Sequence, residues 1–263
     1  MAAKKRRNKV LLFFQLLLLG IIAFVAVSFF YPNVSRLQHQ NPLKTSFMEQ
    51  REQDWRAKGI HREARVVFVP LREISPVTVK AILIAEDANF WEHDGFDFDA
   101  IAKAFTKNLR QRKFAAGGST ISQQLAKNLF LSPAKNPIRK IREAILTWRI
   151  ERNLSKRRIV ELYLNYAEWG NGIFGIERAS HHHFNKSARE LTAQEAAMLA
   201  AILPNPRRPL GHSAAKRAER IYRIMKLRGI VIEDFDDVNN SQSTEQQEDE
   251  QQSEEGEQQE QQN

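Results

Sequence analysis

No cysteine occurs among the 263 residues, which excludes disulfides and thiolate metal sites outright. No Lys or Arg occurs beyond Gly229 either, while twelve carboxylates fall between Glu233 and Glu260. The chain's net charge of +9 therefore conceals +21 over residues 1–230. A body so basic expects a phosphate-bearing or polyanionic partner, or an anionic membrane surface. Internal repeats are missing, and almost nothing alternates apolar with polar at period two. The expected fold is accordingly mainly α. Residues 231–263 form an acidic tail, and 239–263 lack the apolar area that would offset their ordering entropy, so disorder is expected there.

One long apolar run is present. Val10 to Phe30 holds 21 residues with no charge and a single Gln. At about 1.5 Å per residue such a helix spans the ~30 Å hydrocarbon core of a bilayer. Residues 1–9 carry Lys4, Lys5, Arg6, Arg7 and Lys9, which hold the N-terminus in the cytoplasm by the positive-inside rule. A cleaved signal peptide would have a shorter apolar region, roughly 7–15 residues, and a small-x-small cleavage site. The bulky sequence SFFYPNVSRL follows instead, so residues 10–30 read as a retained transmembrane helix with Tyr31 at the outer interface. Everything after it then lies outside the cytoplasm, which argues against nucleic acid as the partner of the basic body.

Residues 31–59 read as a connecting region and 60–230 as the folded domain. Arg65–Pro70 suits a short strand or an extended packing segment. Ser75-Pro76 places an N-cap before proline at the first helical position, opening a helix with Val79, Ile82 and Leu83 as its stripe and an end near Asp87. A loop, 88–97, leads to a second helix through Ile101 and Phe105, and Arg110–Gly118 reads as a mobile basic loop. Ser119 or Thr120 caps a third helix with Ile121, Leu125 and Leu129 on one face. Asn136-Pro137 opens a fourth with a stripe of Ile138, Ile141, Ile145 and Trp148, and Ser155 caps a fifth. Thr192-Ala-Gln-Glu195 is a capping box before an Ala-rich helix, and a last helix runs from near Ser213 to Gly229.

Three clusters carry chemistry. Around Glu86-Asp87, with Phe90, His93 and Gly95, carboxylates gather at the end of an apolar helix, where partial desolvation can raise one toward a working general base. A lone carboxylate at a helix end is usually just solvated. Gly117-Gly118-Ser119-Thr120 runs into a helix N-terminus, a geometry that suits anions, and Gln123, Gln124 and Lys127 add donors for sugar hydroxyls and a diphosphate. Singly, that run is only a loop and a cap. Lys135, Arg139, Lys140, Arg142 and Glu143 could be a solvated helix face with one i,i+4 pair. Beside Lys127 they could instead neutralise a diphosphate leaving group. His181-His182-His183 cannot converge on one metal from a helix, because neighbouring residues diverge, so no metal ligand is assigned.

Five ordered segments resemble the monofunctional biosynthetic peptidoglycan transglycosylases, whose domain also forms half of bifunctional penicillin-binding proteins. They are Glu86-Asp-x-x-Phe90-x-x-His93-x-Gly95; Gly117-Gly-Ser-Thr-Ile-Ser-Gln-Gln-Leu-x-Lys127-Asn128; Arg139-Lys140-x-x-Glu143; Leu162-Tyr-Leu-Asn165-x-Ala-Glu-x-Gly170-x-Gly172-x-x-Gly175; and Leu191-Thr-x-x-Glu195-Ala-Ala-x-Leu-Ala. The resemblance implies a lysozyme-like glycosyltransferase domain behind the single transmembrane helix, with lipid II and a growing glycan strand as substrates. It implies Glu86 as catalytic base and Glu143 as a second essential carboxylate that steers the donor or a bound cation. Lys127, Arg139, Lys140 and Arg142 match diphosphate-side positions; Lys135 stands where relatives often have Arg. Ser119, Thr120, Gln123 and Gln124 match sugar- or phosphate-contacting positions. His181–Phe184 departs from the aromatic pair usual in relatives. No cofactor is required, although a divalent cation, Mg or Mn, is compatible with the diphosphate. The sequence after residue 230 leaves no room for a transpeptidase domain, so a monofunctional enzyme of the bacterial inner membrane is expected, with cell-wall synthesis or division proteins as further partners. The rival readings are a lytic transglycosylase or muramidase, in which a Glu acts as general acid, and a non-catalytic scaffold of the wall-building machinery.

Overall fold

The computed structural model describes residues 2–111, 118–133, 136–208 and 211–231. The mobile basic loop, Lys135 and the acidic tail expected from the sequence lie wholly or mostly outside these residues. The described chain is mainly α, with a single two-stranded antiparallel pair, β1 (Glu168–Gly170) and β2 (Ile173–Phe174).

The first helix, α1 (Ala2–Phe30), runs without a break from the basic segment through the apolar one. Its residues from Leu11 onward are almost all exposed, as a helix meant for lipid requires, and it is long and apolar enough to cross a membrane. Its end rests on the body: the Phe29 and Trp148 rings lie 5.6 Å apart, and Arg149 donates to the Ser28 carbonyl at 3.2 Å.

The region expected to be a mere connection holds a helix, α2 (Ser46–Ala57), capped by Thr45. Met48 and Trp55, one heptad apart, enter the main core. Trp55 abuts the β1–β2 turn so closely that a Cβ on Gly172 (φ +74°) would lie 2.3 Å from the indole. The folded body thus begins before residue 60. Five charged residues within α2 had obscured two deep anchors.

Seven more helices follow the expected order: α3 (Pro76–Glu86), α4 (Phe98–Gln111), α5 (Ile121–Phe130), α6 (Pro137–Asn153) and α7 (Lys156–Tyr166), and then, after an element the sequence reading lacked, α9 (Ala193–Ile202) and α10 (His212–Leu227) close the body. The unexpected one is α8 (Ile176–Phe184), which carries the His run and ends on left-handed Asn185 (φ 55°). Caps form where the sequence places them. Asn136 accepts from Arg139 N–H at 2.7 Å, Ser155 from Arg158 N–H at 3.2 Å, and Thr120 and Thr192 each complete a capping box. Ser75 differs: its hydroxyl leaves the helix start and donates to the Leu191 carbonyl at 3.0 Å. Residues 65–70 are extended but pair with no strand. Asn165 stands in for one, accepting from Val69 N–H and donating to Val69 C=O, both at 2.9 Å.

Helix α5 packs on α6 and α7, with α2 alongside, while α3 packs on α9 and α10. The end of α3 and the start of α5 meet at the seam between these two groups. Two expected stripes face outward. On α4, Phe98, Ile101, Phe105 and Leu109 are all exposed. On α6, Ile138, Ile141 and Trp148 are exposed, and the inward face is Glu143, Leu146, Thr147 and Ile150. The apolar spacing thus pointed to the wrong face as the inward one; burying a carboxylate and a hydroxyl on the opposite face was not legible from hydropathy.

Candidate active site

The C-terminus of α3 sets the first group. Asp87 leaves the helix (φ −163°, ψ 76°), which ends regular structure right after Glu86. Its buried carboxylate accepts from Ile121 N–H at 2.9 Å and from His93 Nε2 at 2.9 Å, while His93 Nδ1 accepts from Gly95 N–H at 3.1 Å. Thr120 Oγ1 donates to the Gly95 carbonyl at 2.7 Å. The loop 87–97 is therefore knotted onto the N-terminus of α5. Gly95 (φ +92°) is needed here, since a Cβ would approach Glu151 Cγ and Thr147 Cγ2 at 2.9 Å.

This knot aims Glu86 at α5. Its side chain is 11% exposed. Oε2 accepts from Gln124 Nε2 at 2.9 Å, and Tyr163 Oη donates to Gln124 Oε1 at 3.1 Å, fixing the amide's orientation. Oε1 accepts from Arg217 of α10 at 2.9 Å. Burial pushes the Glu86 carboxyl above its ordinary range; the Gln124 hydrogen bond and the charges of Arg217 and Lys127 oppose that rise, and Asp87 adds to it. Burial together with Glu86 and Asp87 raises the Tyr163 phenol well above normal, so that it stays a donor.

One turn along α5 from Gln124, Lys127 is partly buried. Desolvation holds its ammonium below the usual lysine value; Arg139 and Lys140 lower it further, while Glu143 and Glu86 act to raise it. On α6, buried Glu143 accepts from Arg139 at 2.7 Å and also from Lys140. Arg142 is half-buried, with its Nε enclosed and without a hydrogen-bond partner. The arrangement is a continuous electrostatic chain: Glu86, Lys127, then Glu143 with Arg139 and Lys140.

Two cavities flank the Glu86–Gln124 pair. One of about 320 Å³ lies between α2, α5 and α7, lined by Phe47, Gln124, Lys127, Asn128, Tyr163 and Arg207 among others. The other, about 200 Å³, is lined by Glu86, Asp87, Asn89, Gly118, Ser119 and Thr120.

Among the residues singled out from sequence, Glu86, Gln124, Lys127, Arg139, Lys140 and Glu143 come together, Arg142 lies half-buried on the same helix as Arg139, and exposed Ser119 edges the smaller cavity. Thr120 and Gln123 do different work: both are buried, and their side chains are engaged in the capping box of α5. Arg217, Tyr163 and the α2 residues Phe47, Gln50, Arg51 and Asp54 were missed. Only Tyr163 had a signal, its place in the Leu162–Asn165 segment. Asp87, His93 and Asp97 lie close enough to suggest a metal. Their donors are already committed, however, with Asp97 accepting from Ala100 N–H and Asn89. In the His run, His181 pairs with Glu177 at 3.1 Å and His183 approaches the Trp169 carbonyl at 3.4 Å.

The Transglycosylase family matches residues 54–227. The biosynthetic peptidoglycan transglycosylase of Nitrosospira multiformis is 48% identical over 189 residues, covering 70% of this chain and 82% of that protein. That of Chromobacterium violaceum is 44% identical over 223 residues, 82% of this chain and 98% of the relative. That of Aromatoleum aromaticum is 51% identical over 186 residues, 70% and 81% respectively. With a mainly helical, lysozyme-like domain behind an apolar N-terminal helix, this chain belongs to the biosynthetic peptidoglycan transglycosylase family.

Proposed function

We propose that this peptidoglycan glycosyltransferase polymerises lipid II into β-1,4-linked glycan strands, with Glu86 as general base. The carboxylate takes the proton of the acceptor N-acetylglucosamine 4-hydroxyl as that oxygen attacks C1 of the donor N-acetylmuramic acid. The C1–O bond to undecaprenyl diphosphate breaks on the opposite side, and the leaving group departs with the bonding pair. A single in-line displacement converts the α-linked donor into a β product, with no covalent enzyme intermediate. Lys127, Arg139, Lys140 and Arg142 meet the diphosphate charge in a partly dry setting, where cations are most effective; Lys135 lies outside the described residues and is counted with them from the motif resemblance alone. Glu143 holds two of these cations in place. Both its oxygens are so engaged, and no step is assigned to a divalent cation. The α1 helix anchors the chain in the inner membrane, with its basic end cytoplasmic and the catalytic domain periplasmic.

The observation that carries this reading is a buried, raised carboxylate in electrostatic reach of Lys127, which is itself in reach of Arg139 and Lys140 of α6. A lytic enzyme would also use a raised Glu, but it acts on a polymer without a diphosphate and leaves the cations unexplained. Purified lipid II, incubated with wild type and with Glu86→Gln, separates the readings. Polymer from the wild type and none from the variant is expected. Cleavage of isolated sacculi without polymer formation would favour the lytic rival, and a Glu86→Gln strain with unaltered wall growth would favour a scaffold.

A further inference from the structure

We propose that Arg217, on the C-terminal helix α10, is a positioning residue of the active site, clamping one oxygen of the Glu86 carboxylate while Gln124 holds the other. The proposal deepens the reading of Glu86 as base and rests on it.

Arg217 comes from far along the chain, yet one of its terminal nitrogens reaches both Glu86 Oε1 at 2.9 Å and the Ala85 carbonyl at 3.1 Å. It thereby grips the last turn of α3 and its final side chain together. A cation at a helix C-terminus is well placed for the exposed carbonyls. Glu86 forms its only ion pair among the described residues with this guanidinium. Its other oxygen is fixed from α5 and, through Tyr163, from α7. Three elements therefore determine where the carboxylate points.

Arg217 is also poorly suited to a purely structural role. Its side chain is 38% exposed, and its buried Nε donor has no partner. Ala218, Ile221 and Met225 already seat α10 in the core. What the guanidinium adds is charge at the base. The groups acting on Glu86 are Gln124 and Lys127 of α5, Arg217 of α10, and Asp87 beside it, with the Tyr163 phenol behind Gln124. Lys127 must also serve Glu143 and the leaving group, which leaves Arg217 as the cation dedicated to the base. With Arg217 removed, burial acts with less opposition and the carboxyl holds its proton to higher pH. The protonated form cannot accept another, so the acidic limb of activity moves upward.

The test is the pH profile of kcat/KM on lipid II for wild type, Arg217→Met, Arg217→Lys and Glu86→Gln. In parallel, the Glu86 carboxyl is titrated by 13C NMR, identified by its loss in Glu86→Gln. Arg217→Met should raise the acidic limb and the directly titrated carboxyl by about one pH unit or more, with activity recovering at alkaline pH. Arg217→Lys should return the limb most of the way. A uniform loss at every pH with an unmoved Glu86 titration would overturn the role of Arg217 while leaving the base assignment intact. Undiminished turnover by Glu86→Gln would instead remove the base assignment, and this proposal with it.

Discussion

A base that must accept a proton near neutrality is poorly served by bulk water, where a carboxylate is too weak, and by a dry core, where it never ionises. Glu86 sits between these extremes: burial raises it, and two cations with one amide restrain the rise. The arrangement has a consequence for stability. A carboxyl whose folded value lies above its unfolded one contributes stability that is present at low pH and lost as pH rises through that interval. At neutral pH the charged Glu86 is therefore a cost, and Glu86→Gln should melt at or above the wild-type temperature at pH 7.5. Below about pH 4 the advantage should vanish; thermal melts across that range check both halves. Lys127→Ala removes a cation from the leaving-group side. It should lower kcat/KM by about a hundredfold with a nearly unchanged melting temperature, read from initial rates and a melt of the same preparation.

At the scale of elements, the site depends on where α3 stops and α5 starts. Asp87, His93, Gly95 and Thr120 tie those ends together. Gly95→Ala would impose a left-handed backbone on a residue with a Cβ and press that atom against Glu151 and Thr147. A loss of at least 1–2 kcal/mol is expected, roughly the left-handed penalty alone, measurable as a lowered denaturation midpoint. The α4 helix raises a different question, because Phe98, Ile101, Phe105 and Leu109 form an apolar face that stays exposed among the described residues. In a chain with a membrane-spanning apolar helix such a face suits the lipid interface. Phe105→Glu combined with Leu109→Glu should weaken association with anionic vesicles and leave the melting temperature unchanged; flotation assays and melts would show it.

Caps and helix starts were legible because each needs only a few neighbouring residues: Thr120 with Gln123, Asn136 with Pro137, Thr192 with Glu195. Helix α2 was not, since two anchors among many charges make a weak pattern until Gly172 and Trp55 are seen in contact. The inward face of α6 was misread for a related reason. Hydropathy assigns Ile138, Ile141 and Trp148 to a core, whereas the fold uses that face near α1 and buries Glu143 instead.

At the scale of the whole molecule, the apolar helix from Leu11 to Phe30, the open face of α4 and the outer face of α6 are the three large apolar surfaces left exposed among the described residues. An enzyme whose donor carries a lipid gains from holding its cleft near the bilayer. Removing residues 239–263, which lie outside the described residues, should change polymerisation of purified lipid II by less than about twofold, since the tail lacks the apolar area to join a packed core.

What the sequence determined by itself was local or additive: a membrane-spanning length of apolar helix from its lack of charge, a helical body from its periodicity, and family membership from ordered motifs. The partnership of Arg217 with Glu86, the entry of α2 into the core and the meeting of Glu86 with Gln124 were decided only by tertiary structure. Each depends on which distant surfaces come within hydrogen-bond reach, and that distance is a property of packing that no spacing along the chain encodes.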